Sequence, residues 1–212
     1  MKNILFINHS IRDGGPGRSL YYLLKHFDYE NFNVNVLIPD KKVFSDRIEN
    51  DNLNINQIVN SNFPENLKRQ NFKINGKMIS ILPVDILINI FRLIYLLFTL
   101  KKQIKENKID VIYCNGTLAK FFGAILGWVY KIQVVWHVRN YQQNFILYNL
   151  INFFSKFSCI SKIICVSKST MSQFKNKSKC IVINNGVDTN EFNPTCVEKK
   201  LRKEFNIDNN KI

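Results

Sequence analysis

Short apolar runs alternate along the chain with longer segments in which apolar residues recur every three or four positions. The short runs are rich in Ile and Val and predict buried strands, whereas the longer segments predict helices with one apolar face. Strands that alternate with helices imply an α/β fold, a parallel sheet with helices on both faces. The strands are predicted at residues 4–7, 34–38, 110–114, 133–137, 162–166 and 180–183, with a weaker one near 55–59. The helices are predicted at residues 18–27, 41–50, 84–107, 117–130, 145–157, 169–175 and 199–205, and residues 61–77 show no regular pattern.

Polar residues and glycines directly follow four of the predicted strands. In open α/β sheets, ligands bind beyond the carboxyl ends of the strands, so these residues are expected on one rim of a ligand cleft. Strand ends are polar in many proteins, so one such group is a weak signal. The prediction of a ligand cleft depends on four such groups at one edge of the sheet. The candidate binding residues are Gly14, Gly15, Gly17, Arg18, Ser19, Asn115, Thr117, His137, Arg139, Asn140 and Ser167.

The glycines after the first strand predict a loop that a ligand can approach closely. Gly14, Gly15 and Gly17 leave the backbone free to turn, and the following helix would aim its free N–H groups at an anion. The segment is not a dinucleotide fingerprint, because Leu20 replaces the third glycine. It is not a phosphate-binding Walker loop either, because the Gly-Lys-Ser/Thr sequence is missing. The alternative is a flexible loop that binds nothing.

The segment at residues 181–194 reads Ile-Val-Ile-Asn-Asn-Gly-Val-Asp-Thr-Asn-Glu-Phe-Asn-Pro. Its apolar start predicts a buried strand that ends at Asn184 in a turn requiring positive φ, and Asp188 stands at the start of a predicted helical turn. The segment resembles the signature of the family 4 glycosyltransferases: a strand, then Asn-Gly-Val-Asp, then x-x-x-Phe-x-Pro. In that family the signature marks the crossing from the N-terminal to the C-terminal domain. The resemblance implies that residues 1–194 form a Rossmann-like acceptor-side domain, and that residues 195–212 are a linker and the start of a C-terminal domain.

Other segments resemble the same family. Gly14 and Gly15 match its paired glycines, which lie beneath the donor diphosphate and beside the acceptor. His137 ends a strand where the family places a histidine that faces the donor sugar, so the resemblance makes His137 the catalytic candidate. A lone histidine after Trp136 is also consistent with a core residue, but the neighbouring Arg139 and Asn140 favour a polar cleft. Residues 163–167 resemble the family's apolar strand followed by Val-Ser.

The resemblance implies a GT-B architecture, in which two Rossmann-like domains face each other across a cleft. It implies a retaining glycosyltransferase that moves a sugar from a nucleotide sugar to a glycan or lipid-linked acceptor, in envelope or exopolysaccharide synthesis. No metal or other cofactor is expected. The family's basic pair and paired glutamates lie in the C-terminal domain, so this chain alone is expected to be inactive. The alternatives are a non-catalytic phosphate- or nucleotide-binding module and a basic membrane-surface protein.

The charge of +14, from 30 Lys and Arg against 16 Asp and Glu, indicates an acidic partner or a Lys-rich coding bias. Anionic lipid and phosphate ligands are the favoured partners, and nucleic acid is not expected. The helices at 84–107 and 145–157 are rich in aromatic residues, which predicts either core packing or insertion at a membrane surface. Residues 79–100 contain Pro83, Asp85, Asn89 and Arg92, which disfavours a membrane span.

The five cysteines form no CxxC pair. We therefore expect reduced thiols and a cytoplasmic protein. The start of the chain does not resemble a signal peptide. With its charge, the protein is expected to bind peripherally at the inner face of the plasma membrane.

Overall fold

Among the residues that the structure describes, seven parallel strands form the main sheet, and two further strands form a separate hairpin. In the computed structural model, the described residues are 1–9, 14–63, 71–74, 77–80, 82–190 and 204–205. The order across the main sheet is β3-β2-β1-β6-β7-β8-β9, and β4 pairs with β5 antiparallel. The strands are β1 (Lys2–Asn8), β2 (Phe32–Ile38), β3 (Ile55–Val59), β4 (Asn71–Ile74), β5 (Lys77–Ser80), β6 (Val111–Asn115), β7 (Gln133–Val138), β8 (Ile160–Cys165) and β9 (Cys180–Val182).

Helices cover both faces of the sheet, which confirms the predicted Rossmann-like α/β fold. One apolar cluster joins Phe6 and Val36 of the sheet to α1 and α2 through Leu20, Leu24 and Ile48. The other cluster lies on the opposite face and contains residues of α3, α4 and α5 packed on the alternate strand residues. The helices are α1 (Gly15–Lys25), α2 (Val43–Asn50), α3 (Leu82–Glu106), α4 (Thr117–Tyr130), α5 (Phe145–Phe154) and α6 (Lys168–Ser172).

Three expectations from the sequence are wrong. Helix α1 begins at Gly15, with Pro16 in its first turn, so the predicted glycine loop is partly the start of the helix. The strand β9 is not buried: it is the edge strand, and Ile183 just beyond it is 51% exposed. Among the described residues, positive φ occurs only at Asn52, Lys108, Lys131 and Gly116, so the turn at residues 184–186 does not use it.

Other predictions fall partly outside the described residues. Phe192, Pro194 and most of the predicted helix at 199–205 lie there, as does Cys196. The four cysteines in the described part of the chain are free thiols. The residues predicted to be irregular include the β4–β5 hairpin, whose strands are four residues each. Within the described residues, no helix has both the length and the apolarity needed to cross a bilayer.

Candidate functional site

The carboxyl ends of β1, β6 and β7 bring three polar side chains into register. Asn8 pairs with Asn115, and Asn115 pairs with His137 on the next strand. The Asn115 amide donates a hydrogen bond of 2.9 Å to the carbonyl oxygen of Pro16, in the first turn of α1. The glycine segment and His137 therefore lie at the same edge of the sheet, as the strand-end pattern predicts. We call this edge the carboxyl rim.

Arg139 is the centre of the carboxyl rim. Its guanidinium donates from Nε to Oδ1 of Asn115 at 3.1 Å and from Nη2 to Nδ1 of His137 at 3.2 Å. Its Nη1 donates to the Ser19 hydroxyl and, at 3.4 Å, to Oδ1 of Asn185. A planar guanidinium holds several acceptors in a fixed arrangement, which an ammonium group does not do. Arg139 thus links β6, β7, α1 and the segment after β9.

His137 is 8% exposed and is held in one orientation. The Tyr113 hydroxyl lies 2.6 Å from its Nδ1, and Arg139 also donates to that nitrogen. A guanidinium has no acceptor, so Nδ1 must accept, and the proton of the neutral ring is on Nε2. Burial, followed by the positive charges of Arg139 and Lys120, lowers the pKa of His137 to about 4. The ring is therefore neutral at pH 7 and presents Nε2–H as a donor.

The Nε2–H donor of His137 has no hydrogen-bond partner among the described residues. The same holds for the buried Nζ of Lys120 and the buried Nδ2 of Asn8. Each of these atoms is a donor, and a buried donor without an acceptor costs about 1–3 kcal/mol. The carboxyl rim is thus short of acceptors, although each of these three donors is enclosed by protein in the described structure.

Lys120 is the least expected residue near the rim. It lies in the first turn of α4 with 0% exposure, close to the thiols of Cys114 and Cys165. Burial lowers its pKa to about 8, against 10.5 for an ordinary lysine. Burial also raises the pKa of the Cys114 thiol, so that thiol is not a counter-ion. At pH 7 Lys120 adds a positive charge beneath the rim.

The glycine segment presents the start of α1 to the same space. Gly14 is the N-cap residue, and its carbonyl accepts from the N–H of Arg18 at 3.1 Å. A Cβ added to Gly15 would meet no atom within 4 Å, so the space beside this glycine is open. Gly17 is buried in the first turn, and the side chain of Arg18 is exposed. No described atom therefore crowds the backbone at Gly15.

The remaining candidates lie at the same edge but already have structural roles. The Thr117 hydroxyl accepts from Nε2 of Gln142 at 3.2 Å, and the Asn140 carbonyl accepts from Nε2 of Gln173 at 3.2 Å. Ser167 caps α6, where its hydroxyl accepts from the N–H of Thr170 at 3.1 Å. Of the three, Asn140 has the most exposed side chain, and Thr117 and Ser167 are half-buried.

Several rim residues were not found from the sequence. Asn8 directly follows the apolar residues of β1, and Asn185 lies two positions after Ile183, so the strand-end pattern places both at strand ends although neither is among the predicted binding residues. Tyr113 lies within a strand, and Lys120 and the two glutamines carry no sequence signal that separates them from surface residues. The missed residues are Asn8, Tyr113, Lys120, Gln142, Gln173 and Asn185. In the described part of the chain, no group of three or more His, Cys, Asp or Glu side chains is placed to hold a metal ion.

Comparison with known families decides which class of protein carries this rim. The family described as Glycosyltransferase Family 4 matches residues 13–191. The chain belongs to Glycosyltransferase Family 4. A sequence comparison with curated proteins gives no match.

Solved structures similar to this family 4 chain share its Rossmann-like fold. Alr3699/HepE from Anabaena in complex with UDP-glucose has a TM-score of 0.64 and 19% identity, covering 99% of this chain and 51% of that one. A glycosyltransferase from Rickettsia africae has a TM-score of 0.64 and 14% identity, covering 99% and 50%. MurG from Acinetobacter baumannii has a TM-score of 0.56 and 15% identity, covering 89% and 47%. The family 4 chain thus spans about half the length of these proteins, and the likeness confirms the N-terminal half of a GT-B fold.

Proposed function

We propose that this chain is the acceptor-side, N-terminal domain of a retaining glycosyltransferase. In this proposal residues 1–194 are the domain, and residues 195–212 lead into a second domain that binds the nucleotide sugar. The supporting observation is the Arg139 network, which joins the glycine-led helix α1, His137 and Asn185 of the family signature. The donor is a nucleotide sugar and the acceptor a glycan or lipid-linked glycan, in envelope or exopolysaccharide synthesis.

His137 is the catalytic candidate as a hydrogen-bond donor, not as a general acid or base. Its pKa of about 4 keeps it neutral, and its Nδ1 is occupied by Tyr113 and Arg139. In this proposal, substrate binding brings an oxygen of the transferred sugar or of the acceptor to the unpaired Nε2–H, which is buried in the described structure. A donor fixed before the reaction stabilises developing negative charge without reorganisation, which is worth several kcal/mol in a water-excluded site.

The other rim residues bind substrate in this proposal. Arg139 positions His137, and the N-terminus of α1 with the buried charge of Lys120 provides a favourable environment for a diphosphate. The chemistry needs no metal or other cofactor on this domain. The proposed substrate-binding residues are Gly14, Gly15, Gly17, Arg18, Ser19, Asn115, Thr117, Arg139, Asn140 and Ser167.

The experiment compares transfer by the two-domain protein with transfer by the 212-residue chain. Radiolabelled UDP-glucose, UDP-galactose and UDP-N-acetylglucosamine are supplied with a bacterial lipid extract. The two-domain protein should label lipid or glycan, whereas the chain alone should not, because most stabilisation of the leaving diphosphate would be absent. His137→Ala should lower transfer about a hundredfold, as expected for one lost transition-state donor. Asn176→Ala, in an exposed loop, is the control.

His137→Gln sharpens this test, because its amide retains a donor near the position of Nε2. It should transfer faster than His137→Ala. Equal rates for the wild type and His137→Ala would remove the histidine role. Labelling by the isolated chain would contradict the proposal that transfer needs the second domain. No labelling by the two-domain protein from any of the three donors would contradict the proposed transfer activity.

A peripheral membrane position is also part of the proposed function. Helix α3 has a second apolar stripe opposite its buried one, formed by residues three and four apart. The same stripe continues towards the helix end as exposed lysines, which suits apolar insertion with charges at the headgroups. Helix α5 repeats this order, with exposed Phe145, Ile146 and Phe153 followed by Lys156. The α3 stripe contains Leu87, Ile90, Phe91, Ile94 and Phe98, then Lys101, Lys102 and Lys105.

The occupant that these faces fit is the anionic inner face of a plasma membrane, where a cytoplasmic enzyme meets a lipid-linked acceptor. Each lysine at such a surface contributes about 1 kcal/mol. Vesicle co-sedimentation should show binding that requires anionic lipid and weakens with salt. Phe91→Ser with Phe98→Ser should reduce the salt-resistant part, whereas Phe205→Ser, also exposed, should not. Equal binding to neutral vesicles would remove the electrostatic part, and no binding to either would remove the membrane role.

A further inference from the structure

A cavity of about 420 Å³ lies at the opposite edge of the sheet from the carboxyl rim. It is formed by the amino ends of β1, β2 and β3 and by the turn after α3, and we call it the amino-edge pocket. The strand β1 has seven residues, so the two edges are about 20 Å apart. Phe32 and Val34 form the apolar part of its lining. Its polar part consists mainly of six asparagines: Asn3, Asn33, Asn35, Asn54, Asn56 and Asn107.

The concentration of asparagine in this pocket exceeds what composition explains. The whole chain has 29 asparagines in 212 residues. In the pocket, six of ten lining residues are asparagine. This is about a fourfold enrichment over the chain. The Asn-rich composition therefore does not account for the pocket.

Hydrogen bonds orient the amides of Asn3, Asn33, Asn35, Asn56 and Asn107. Asn33 donates to Oδ1 of Asn3 at 2.8 Å, and Asn3 donates to the carbonyl of Lys108 at 3.0 Å. Asn56 donates to Oδ1 of Asn35 at 2.8 Å and to Oδ1 of Asn107 at 3.1 Å. An amide has two donor hydrogens and an acceptor oxygen with two lone pairs, so each of these pairs leaves capacity unused.

The exposed members of the set direct that capacity to the pocket opening. Asn33, Asn54 and Asn56 are exposed, whereas Asn35 is buried beneath them at 4% exposure. A row of oriented amides matches a sugar, whose adjacent hydroxyls both donate and accept hydrogen bonds. The charged lining residues are one Glu and one Lys, Glu106 and Lys108, so the pocket does not favour a phosphate.

We propose that the amino-edge pocket is a saccharide-binding site separate from the site of transfer. Its ligand class is a neutral oligosaccharide, held by Asn33, Asn54 and Asn56. Such a site would retain a glycan chain on the domain while another part of a chain occupies the rim. It needs neither a nucleotide nor a second domain, so its test is independent of the proposed transfer activity.

The test uses the whole chain labelled with ¹⁵N in its asparagine side chains. Tetrasaccharides of glucose, galactose and N-acetylglucosamine are titrated to millimolar concentration while the amide resonances are followed by NMR. The resonances of Asn33, Asn54 and Asn56 should shift with at least one of the probes. Those of Asn115 and Asn140, at the carboxyl rim, should shift less at the same concentration.

The double variant Asn33→Ala with Asn54→Ala should raise the dissociation constant at least tenfold. Asn176→Ala, which removes an exposed amide elsewhere, should leave it unchanged, and circular dichroism of all variants checks that the fold is retained. No shift with any of the three probes overturns the proposal. Equal affinity in the wild type and the double variant also overturns it.

Discussion

The two edges of the sheet use similar polar side chains but differ in how far those side chains satisfy one another. At the amino edge, the amides of Asn33, Asn56 and Asn107 all donate to neighbouring oxygens. At the carboxyl rim, buried donors of His137 and Lys120 have no partner among the described residues. One edge is neutral and internally paired, and the other is cationic and short of acceptors.

This difference indicates that the carboxyl rim lowers the free energy of unfolding more than the amino edge does. Buried unpaired donors and an uncompensated lysine reduce the free energy of unfolding, and they persist only where the surrounding packing holds them. A substrate rich in oxygen atoms can supply the missing acceptors at the carboxyl rim. The amino edge has little to gain in this way, so a ligand there should bind weakly and through exposed groups.

The largest expected effect is that of Arg139→Ala. It removes the donor to four acceptors at the rim, and hydrogen bonds to charged groups contribute about 1.5–3 kcal/mol each before the site relaxes. We expect transfer by the two-domain protein to fall at least a hundredfold and the free energy of unfolding to fall by about 4 kcal/mol. Steady-state kinetics and urea unfolding measure the two effects.

Arg139→Lys separates charge from geometry in the same experiment. A lysine keeps the positive charge but cannot reach several acceptors at once. We expect stability close to that of the alanine variant, with the pKa of His137 still low because burial is its main cause. Wild-type activity in Arg139→Lys would mean that the network is not the organising feature of the rim.

The second effect has the opposite sign and concerns Lys120→Met. The folded-state pKa of Lys120 is about 8, below the 10.5 of an exposed lysine, so the unfolded chain binds the proton more tightly. This costs stability at pH 7, by about 3 kcal/mol, and the cost disappears as the pH rises from about 8 to above 10.5. Methionine has a similar volume and no charge, so the variant should be more stable at pH 7.

Urea unfolding at pH 7 and at higher pH measures this difference. The gap between Lys120→Met and the wild type should narrow as the pH rises. Lys156→Met, on an exposed lysine, should give no comparable gap at any pH. A destabilised Lys120→Met at pH 7 would show that the ammonium group has a partner that holds it.

The elements were more predictable than the site, for a physical reason. Helix α4 was predicted with its observed bounds of Thr117–Tyr130, because apolar periodicity and the preceding glycine are local signals. The start of α1 was missed because Gly-Gly-Pro-Gly reads as a loop, although proline suits the first turn of a helix. The exposure of β9 was missed because an Ile-Val-Ile run does not reveal whether its strand has a neighbour on each side.

The site could be predicted only as a location. The strand-end rule brings Gly15, Asn115 and His137 to one edge, and the register confirms it. It does not predict that Arg139 contacts Ser19, because 120 positions separate the two residues. The protonation of His137 was equally inaccessible, since it depends on Tyr113 and on burial.

The third largest effect is on stability, and a pair of glycine variants tests how tightly atoms pack around the backbone at the rim. Gly116 has φ of 107°, and a Cβ there would lie 2.2 Å from Cε1 of His9. Gly116→Ala should therefore lower the free energy of unfolding by about 2 kcal/mol. Gly15→Ala is the matched control, because its added Cβ meets nothing within 4 Å and the residue lies at a helix start.

Thermal unfolding of both variants provides the measurement. Gly15→Ala should be neutral or stabilising by less than about 1 kcal/mol. If it also lowers transfer, the open space beside Gly15 is occupied by substrate during the reaction. Equal stability of the two variants would contradict the described backbone at Gly116.

The smallest expected effect decides between two roles for Ser167. Its hydroxyl accepts from the N–H of Thr170 in a reciprocal capping box, which accounts for this serine without a substrate. Ser167→Ala should then lower the free energy of unfolding by about 1 kcal/mol, and Ser167→Asp, which also caps helices, should restore most of it.

If capping is the whole role, transfer by both variants should match the wild type under conditions where they are fully folded. Because Ser167→Asp restores the cap but adds a negative charge at the rim, a selective rise in the Michaelis constant of that variant would show that an anionic substrate passes close to Ser167. A fall in the turnover of Ser167→Ala with no change in its stability would instead return Ser167 to the set of substrate-binding residues.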